Sequence, residues 1–318
     1  MKNILVIGAA GQIGSELVPA LRARGYMTVA AGSGRTPLPA HLADGPVATV
    51  NLLDREALAK TIDHYAIDTI FNLAAILSAV GESKPMAAWE LGVNGVIGLL
   101  ELARDKKLSV FTPSSIGVFG PETPHDPTPQ DTVCRPRTMY GITKVAGELL
   151  SDYYRAKYGV DARSVRYPGL ISHVTPPGGG TTDYAVDIYW KAIENGAYTC
   201  PLKAGTRLPM MFMPDALRAA IELMEADPVR LKHFNSFNVG ALSFAPEDVA
   251  ASIRRRMPNF KLDYDVNPLL QSIADSWPDA LDDTAAREEW DWKPDYSLDA
   301  MTDVMLDAIG KRLGNPVA

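Results

Sequence analysis

The chain has 318 residues, 47% of them hydrophobic and 22% charged, with a formal net charge of −7. This is enough chain for one large domain or two coupled ones, and an acidic balance without basic clusters excludes nucleic acid and anionic membrane surfaces as expected partners. Two distant cysteines, Cys134 and Cys200, make neither a disulfide framework nor a zinc cluster, and five scattered histidines form no ligand pair, so no metal is expected. The first apolar run is too short for a signal-peptide core, and no stretch approaches the ~18 apolar residues of a membrane span. A cytoplasmic protein is therefore expected.

Ile4-Leu5-Val6-Ile7 is a continuous apolar run, as for a strand buried on both faces. Gly8-Ala9-Ala10-Gly11-Gln12-Ile13-Gly14 follows at once, and an amphipathic helix then runs to about Arg24, with Gly25 ending it. In a strand–turn–helix unit, glycines let the backbone approach a pyrophosphate while the helix N-terminus supplies free N–H groups. The spacing here is G-x-x-G-x-x-G rather than G-x-G-x-x-G. Met27 to Ala31 reads as the second strand. A carboxylate near its end would bind a ribose 2′-hydroxyl, but the residues are Gly32-Ser33-Gly34-Arg35. Arg35 suits a 2′-phosphate, an adenine face or plain solvent.

Val47 to Leu52 reads as strand three and Asp68 to Ala75 as strand four, which ends in Asn72-Leu73-Ala74-Ala75. Val110 to Ser115 is strand five, and Val160 to Arg166 strand six. Helices lie between them: Asp54 to Tyr65, a long apolar helix from Pro85 to Arg104 carrying Asn94, and one from Tyr140 to about Tyr158. Strands alternating with helices imply an α/β fold with a doubly wound parallel sheet of Rossmann type. Ligands then bind beyond the carboxyl ends of the strands. Asn51, Ala74, Ala75 and the loop from Leu77 to Glu82 lie at such ends, and so do the hydroxyls of Ser114 and Ser115. Tyr140 and Lys144 are four apart, on one face of their helix. A free phenol has a pKa of about 10. A nearby ammonium favours the phenolate, so Lys144 is expected to move Tyr140 down and fit it for general acid–base work.

Beyond residue 172 the chain changes character. Pro176 to Tyr184 is rich in glycine and hydroxyls, which suits a segment closing over a substrate. A helix from Asp183 to Asn195 follows. The remainder mixes short strands (Arg207–Phe212, Phe234–Val239, Lys261–Val266) with helices (Pro214–Glu225, Ala245–Arg256, Ala285–Glu289, Leu298–Leu313). The expected division is residues 1–172 as a dinucleotide-binding domain, to which later helices return, and 173–318 as mainly a smaller α/β substrate-binding domain.

Taken together, Gly8/Gly11/Gly14, Asn72-Leu73-Ala74-Ala75, Asn94, Ser115 and Tyr140-x-x-x-Lys144 resemble the extended short-chain dehydrogenase/reductase superfamily. A narrower likeness spans nearly the whole chain. Leu77-Ser78-Ala79-Val80-Gly81-Glu82, Pro113-Ser114-Ser115-Ile116-Gly117-Val118-Phe119-Gly120, Gly178-Gly179-Gly180-Thr181-Thr182-Asp183-Tyr184-Ala185 and Asp282-Asp283-Thr284-Ala285-Ala286-Arg287 look like the short-chain type of L-threonine 3-dehydrogenase. That resemblance implies NAD as cofactor and L-threonine as the small-molecule substrate, with 2-amino-3-oxobutanoate as product.

The resemblance also implies roles. Tyr140 takes the proton of the 3-hydroxyl, Lys144 holds the nicotinamide ribose, Ser115 hydrogen-bonds the reacting oxygen, and Asn94 supports a water chain to Lys144. Ser78, Gly180 and Thr181 grip the amino and carboxylate ends of threonine. Gly8, Gly11, Gln12, Ile13 and Gly14 seat the diphosphate. Asn51 and Leu52 flank the adenine, with Ser33 and Arg35 at its ribose. Leu73, Ala74 and Ala75 line the ribose and nicotinamide side, and Tyr167 to Leu170 contact the carboxamide. Related enzymes pair two helices per subunit across a dyad, so a homodimer through the Pro85–Arg104 and Tyr140–Tyr158 helices is expected.

The missing acid after strand two keeps NADP as an alternative cofactor. A nucleotide-sugar epimerase or dehydratase shares the tyrosine and lysine, but needs more basic groups for a diphosphate than Arg207 and Arg218. A dinucleotide-sensing regulator on the same fold would commonly lack the tyrosine or the lysine.

Overall fold

The computed structural model describes residues 1–175 and 180–317, and leaves the side chains of Ser78 and Ala79 undescribed. Six parallel strands form the central sheet: β1 (Asn3–Ile7), β2 (Met27–Gly32), β3 (Val47–Thr49), β4 (Thr69–Asn72), β5 (Ser109–Phe111) and, after a two-residue strand β6 (Ser114–Ser115), β7 (Asp161–Arg163). Their order is β3-β2-β1-β4-β5-β7. This is the doubly wound arrangement, with the chain reversing direction across the sheet beside β1. The apolar run Ile4 to Ile7 is almost completely buried, as a strand covered by helices on both faces must be.

Strands five and six of the sequence reading are each interrupted once. Pro113 cannot donate to a ladder, and β5 stops before it. The register survives the break. Ser109 faces Asp161 and Ser114 faces Arg166, so β6 and β8 (Val165–Tyr167) continue the lines of β5 and β7. Ser114 and Ser115 thus stand at the carboxyl end of the sheet.

Helix α1 (Gln12–Ala23) follows β1, and α2 (Arg55–His64) follows β3, its N-cap Asp54 accepting a bond from the Ala57 amide. The segment from Leu77 to Glu82, expected as a loop, forms a short helix, α3 (Ser78–Ser83). The long helix expected from Pro85 is broken: α4 (Pro85–Trp89) passes through a π turn (Glu90–Asn94) into α5 (Gly95–Lys106). By length and composition this 22-residue stretch is apolar enough to cross a membrane, contrary to the sequence reading. Here it is a layer of the fold: Val96, Leu99, Leu100 and Ala103 sit in the core beside the sheet. Helix α6 (Met139–Tyr158) starts where Thr138 caps the Gly141 amide and ends at Gly159 in the left-handed region.

The rest of the chain builds a second core. Strand β9 (Gly169–Ile171) leaves the sheet line and leads to α7 (Tyr184–Asn195), β10 (Ala197–Cys200) and β11 (Leu208–Phe212). Helix α7 packs with the C-terminal helix Leu298–Leu313 through Ile188, Tyr189, Met301 and Met305. The segment then returns to the first core: Ala216, Ala220 and Leu223 of α8 (Met213–Glu225) join Leu17 and Leu21 of α1. Strand β12 (Phe237–Asn238) adds to the outer side of β8.

Candidate active site

The dinucleotide turn is shaped by what it cannot hold. Gly8 has φ +84°, and a Cβ there would lie 3.0 Å from the Leu73 carbonyl carbon; a Cβ on Gly14 would lie 2.4 Å from the Gly8 carbonyl oxygen. No side chain other than hydrogen fits Gly14 without moving the turn. Helix α1 has no acidic residue in its first turn and no side-chain cap at Gly11, so its leading N–H groups and its positive end stay available to an anion. The residues present therefore fit a dinucleotide diphosphate.

The expected flanks of that turn are placed as follows. Gln12 and Ile13 are half-buried at the start of α1. Ser33 and Arg35 are exposed just past β2, and Arg35 has no hydrogen-bond or ion-pair partner among the described residues. Asn51 is exposed with its Oδ1 accepting from the Leu53 amide, while Leu52 is buried. Leu73 follows the last paired residue of β4, its amide bonded to the Ile7 carbonyl, so Leu73, Ala74 and Ala75 leave the sheet next to Gly8. Tyr167 is buried in β8, and its hydroxyl donates to the Ala216 carbonyl at 2.6 Å. Leu170 is half-buried in β9.

At the carboxyl end of β5/β6 a cleft is lined by Ala74, Ala75, Gly92, Ser114, Tyr140, Lys144 and Glu148, among others. Two close approaches build it. A Cβ on Gly141 would sit 2.1 Å from the Gly117 carbonyl oxygen, so only glycine after Tyr140 lets the first turn of α6 close on the end of β6. The Tyr140 ring then lies beside Gly117, on the side where β6 ends in Ser115. The Ser115 hydroxyl accepts the Gly117 amide at 3.1 Å. Sequence reading passed over Gly117 and Gly141; their signal was their place next to Ser115 and Tyr140.

Lys144 lies with its Nζ 5.5 Å from the Tyr140 ring centroid, and that amine donates to the Pro113 carbonyl at 2.7 Å. Burial pulls Lys144 down to about 8, against a partial restoring pull from Glu148. Tyr140 moves the other way from the sequence expectation: burial pushes its phenol up, and only the nearby Ser115 hydroxyl opposes this. The reason is placement. The ammonium points to Pro113 rather than to the phenol, so its charge does not offset the burial.

Asn94 is exposed at the end of the π turn, its side chain has no hydrogen bond among the described residues, and it does not line the cleft. A π turn inserts an extra residue and so rotates the helix face. The residue that meets α6 is Gly92, where a Cβ would lie 2.9 Å from Thr143 Cβ. Of the expected substrate residues, Thr181 is buried, and the Gly180 amide donates to Asp183 Oδ2 at 2.7 Å. Neither lines the Tyr140 cleft. Residues 176–179 and the Ser78 side chain lie outside the described residues.

Comparison with known proteins fits this architecture. The NAD dependent epimerase/dehydratase family matches residues 4–240. An uncharacterized epimerase/dehydratase of Staphylococcus saprophyticus is 51% identical over 311 residues, covering 97% of each chain. The crystal structure of L-threonine dehydrogenase from Clostridium difficile superposes with a TM-score of 0.96 at 49% identity, covering 98% of both chains. A monomeric L-threonine 3-dehydrogenase from a metagenome superposes at 0.91 with 41% identity, covering 98% of this chain and 100% of its own. With a glycine turn that excludes side chains and a serine, tyrosine and lysine at one end of a doubly wound sheet, the chain belongs to the NAD dependent epimerase/dehydratase family.

Proposed function

We propose that this protein is an NAD-dependent L-threonine 3-dehydrogenase of the short-chain type, acting in threonine catabolism in the cytoplasm. The observation that carries the reaction is the meeting of Ser115, Tyr140 and Lys144 beside the dinucleotide turn. The substrate rests on whole-chain likeness to proteins described as L-threonine dehydrogenases. Residues 1–172 serve chiefly the cofactor, and 173–318 chiefly the substrate.

Gly8, Gly11, Gln12, Ile13 and Gly14 hold the diphosphate, and Leu73, Ala74 and Ala75 the nicotinamide side. Bound NAD supplies the hydride acceptor. The Tyr140 phenolic oxygen takes the proton of the substrate's 3-hydroxyl, and Ser115 donates to the same oxygen as negative charge develops on it. Removing one such donor typically costs about 3 kcal/mol of barrier. Lys144 keeps a positive charge behind Tyr140 and reaches the ribose hydroxyls. Ser78, Gly180 and Thr181 fix the two ends of the amino acid, which matters because the reacting carbons must be held at roughly 3–3.5 Å. NADP is the competing cofactor, since Gly32-Ser33-Gly34-Arg35 offers no carboxylate to a ribose 2′-hydroxyl.

A homodimer through α4–α5 and α6 completes the reading. Met86, Trp89, Ile142, Leu149 and Tyr153 are large apolar residues exposed on these helices. The test of the whole is direct: purified protein with L-threonine and NAD should generate reduced nicotinamide absorbance, and Tyr140→Phe should abolish it while leaving NAD binding intact. Retention of most activity by Tyr140→Phe would remove the assignment of the base.

A further inference from the structure

Behind Lys144 lies a charged group that the reaction as described does not use. Tyr140, Lys144 and Glu148 are spaced four apart along α6, and all three line the same cleft. Glu148 is 8% exposed. Its carboxylate is fixed from two strands: Oε1 accepts the Ser114 hydroxyl at 2.5 Å and Arg166 Nε at 3.0 Å, and Oε2 accepts Arg166 Nη2 at 2.9 Å. Arg166 is anchored in turn by the Gln130 carbonyl and the Asn238 side chain, with its guanidinium over the Phe119 ring.

A buried ion pair is a weak stability device, because desolvation consumes most of the attraction and apolar replacements are often neutral. This pair has a different consequence. Lys144 has one hydrogen bond, to a carbonyl, and no ion pair within contact distance among the described residues. The single charged group acting on it is Glu148. The other charges nearby act on Glu148 or Arg166, namely Asp152 one turn further along α6, bonded to Asn235, and Cys134 and Asp131 facing Arg166 from the preceding loop, while Arg155 acts on Asp152. The Ser114 bond also ties Glu148 to the strand end that presents Ser115.

We propose that Glu148 is a positioning residue whose carboxylate, held by Arg166 and Ser114, keeps the Lys144 ammonium charged behind Tyr140. Without it, burial acts on the lysine unopposed, and the amine gives up its proton at lower pH. The proposal rests on the reading of Lys144 as the partner of Tyr140.

The experiment is a proton titration of Lys144 in the full-length, cofactor-free protein. Lysines are dimethylated with 13C reagent, and the Lys144 signal is assigned by its loss in Lys144→Arg. Glu148→Gln should lower the Lys144 midpoint by about one unit, a tenfold change in its protonation equilibrium. The double variant Glu148→Met with Arg166→Met removes the whole pair and leaves no unpaired buried charge, so it answers the question where the single variant does not fold; it should lower the midpoint similarly. An unchanged midpoint in either folded variant overturns the proposal. The high-pH limb of kcat/KM on L-threonine should move down with the NMR midpoint, whereas a merely structural role would lower activity at every pH without moving the limb. If no threonine oxidation is found but the midpoint shifts, the proposed reaction fails and the role of Glu148 stands.

Discussion

Lys144→Met should kill the enzyme and stabilise the protein. Burial brings the amine from its ordinary 10.5 down to about 8. At ~1.4 kcal/mol per unit, keeping it charged in the folded state costs about 3 kcal/mol. Methionine is of similar length and carries no charge. It forfeits the charged amine's bond to the Pro113 carbonyl, worth about 2 kcal/mol, so the net gain at pH 7 is about 1 kcal/mol, or a rise in Tm of roughly 2 °C. The sign with pH follows from linkage. The folded value lies below the unfolded one, so the penalty is complete below pH 8 and fades as pH rises towards 10.5, where the unfolded lysine also loses its proton. Urea unfolding of both proteins at pH 7 and at pH 10.5 tests this. A variant less stable than wild type at pH 7, or a gain that does not shrink with pH, would refute the reasoning.

Three further outcomes are expected. Gly14→Ala should lose NAD binding by fluorescence titration and unfold at lower urea, because its Cβ would lie 2.4 Å from the Gly8 carbonyl oxygen; the loss should be about 1–3 kcal/mol. Arg35→Ala should leave NAD affinity within about twofold while weakening NADP about tenfold, the share of one charge-assisted phosphate contact; equal losses for both cofactors would place Arg35 elsewhere. Leu149→Lys, at a side chain exposed on α6, should yield a monomer in sedimentation velocity if α6 forms the dimer face, and an unchanged sedimentation coefficient would show that it does not.

The cofactor half of this protein was legible because its signals are local. A buried apolar run, a glycine turn and an amphipathic helix each follow from a few adjacent residues, and Asn3–Ile7 with Gln12–Ala23 formed where the pattern put them. Interruptions were less legible. Pro113 marked a break in strand five that the apolar pattern ran through. The π turn at Glu90–Asn94 leaves no mark in composition, yet it decides that Gly92 and not Asn94 meets α6. Leu77 to Glu82 reads as a loop at the carboxyl end of a strand, yet it folds as a short helix packed against α6.

Long-range chemistry was the least legible. Glu148 lies on the Tyr140–Lys144 face and was passed over, because its role depends on Arg166, eighteen residues away, and on Ser114 across the sheet. The direction of the Tyr140 shift was misjudged for the same reason. Spacing put an ammonium near the phenol, but only the fold shows it turned to the Pro113 carbonyl. The C-terminal half gave helix positions well, as at Leu298–Leu313. It gave no sign that β12 would return to the edge of the first sheet.

The central claim is that Tyr140, placed against Ser115 and backed by Lys144, is the base for the 3-hydroxyl of L-threonine. Its most direct measurement is single-turnover formation of reduced nicotinamide by wild type and Tyr140→Phe with saturating NAD and L-threonine. The account predicts a burst in the wild type and a rate at least about a hundredfold lower in the variant, the usual share of a positioned acid–base group, with NAD affinity unchanged. A variant rate within a few fold of wild type, or no burst with L-threonine in the wild type, would contradict it.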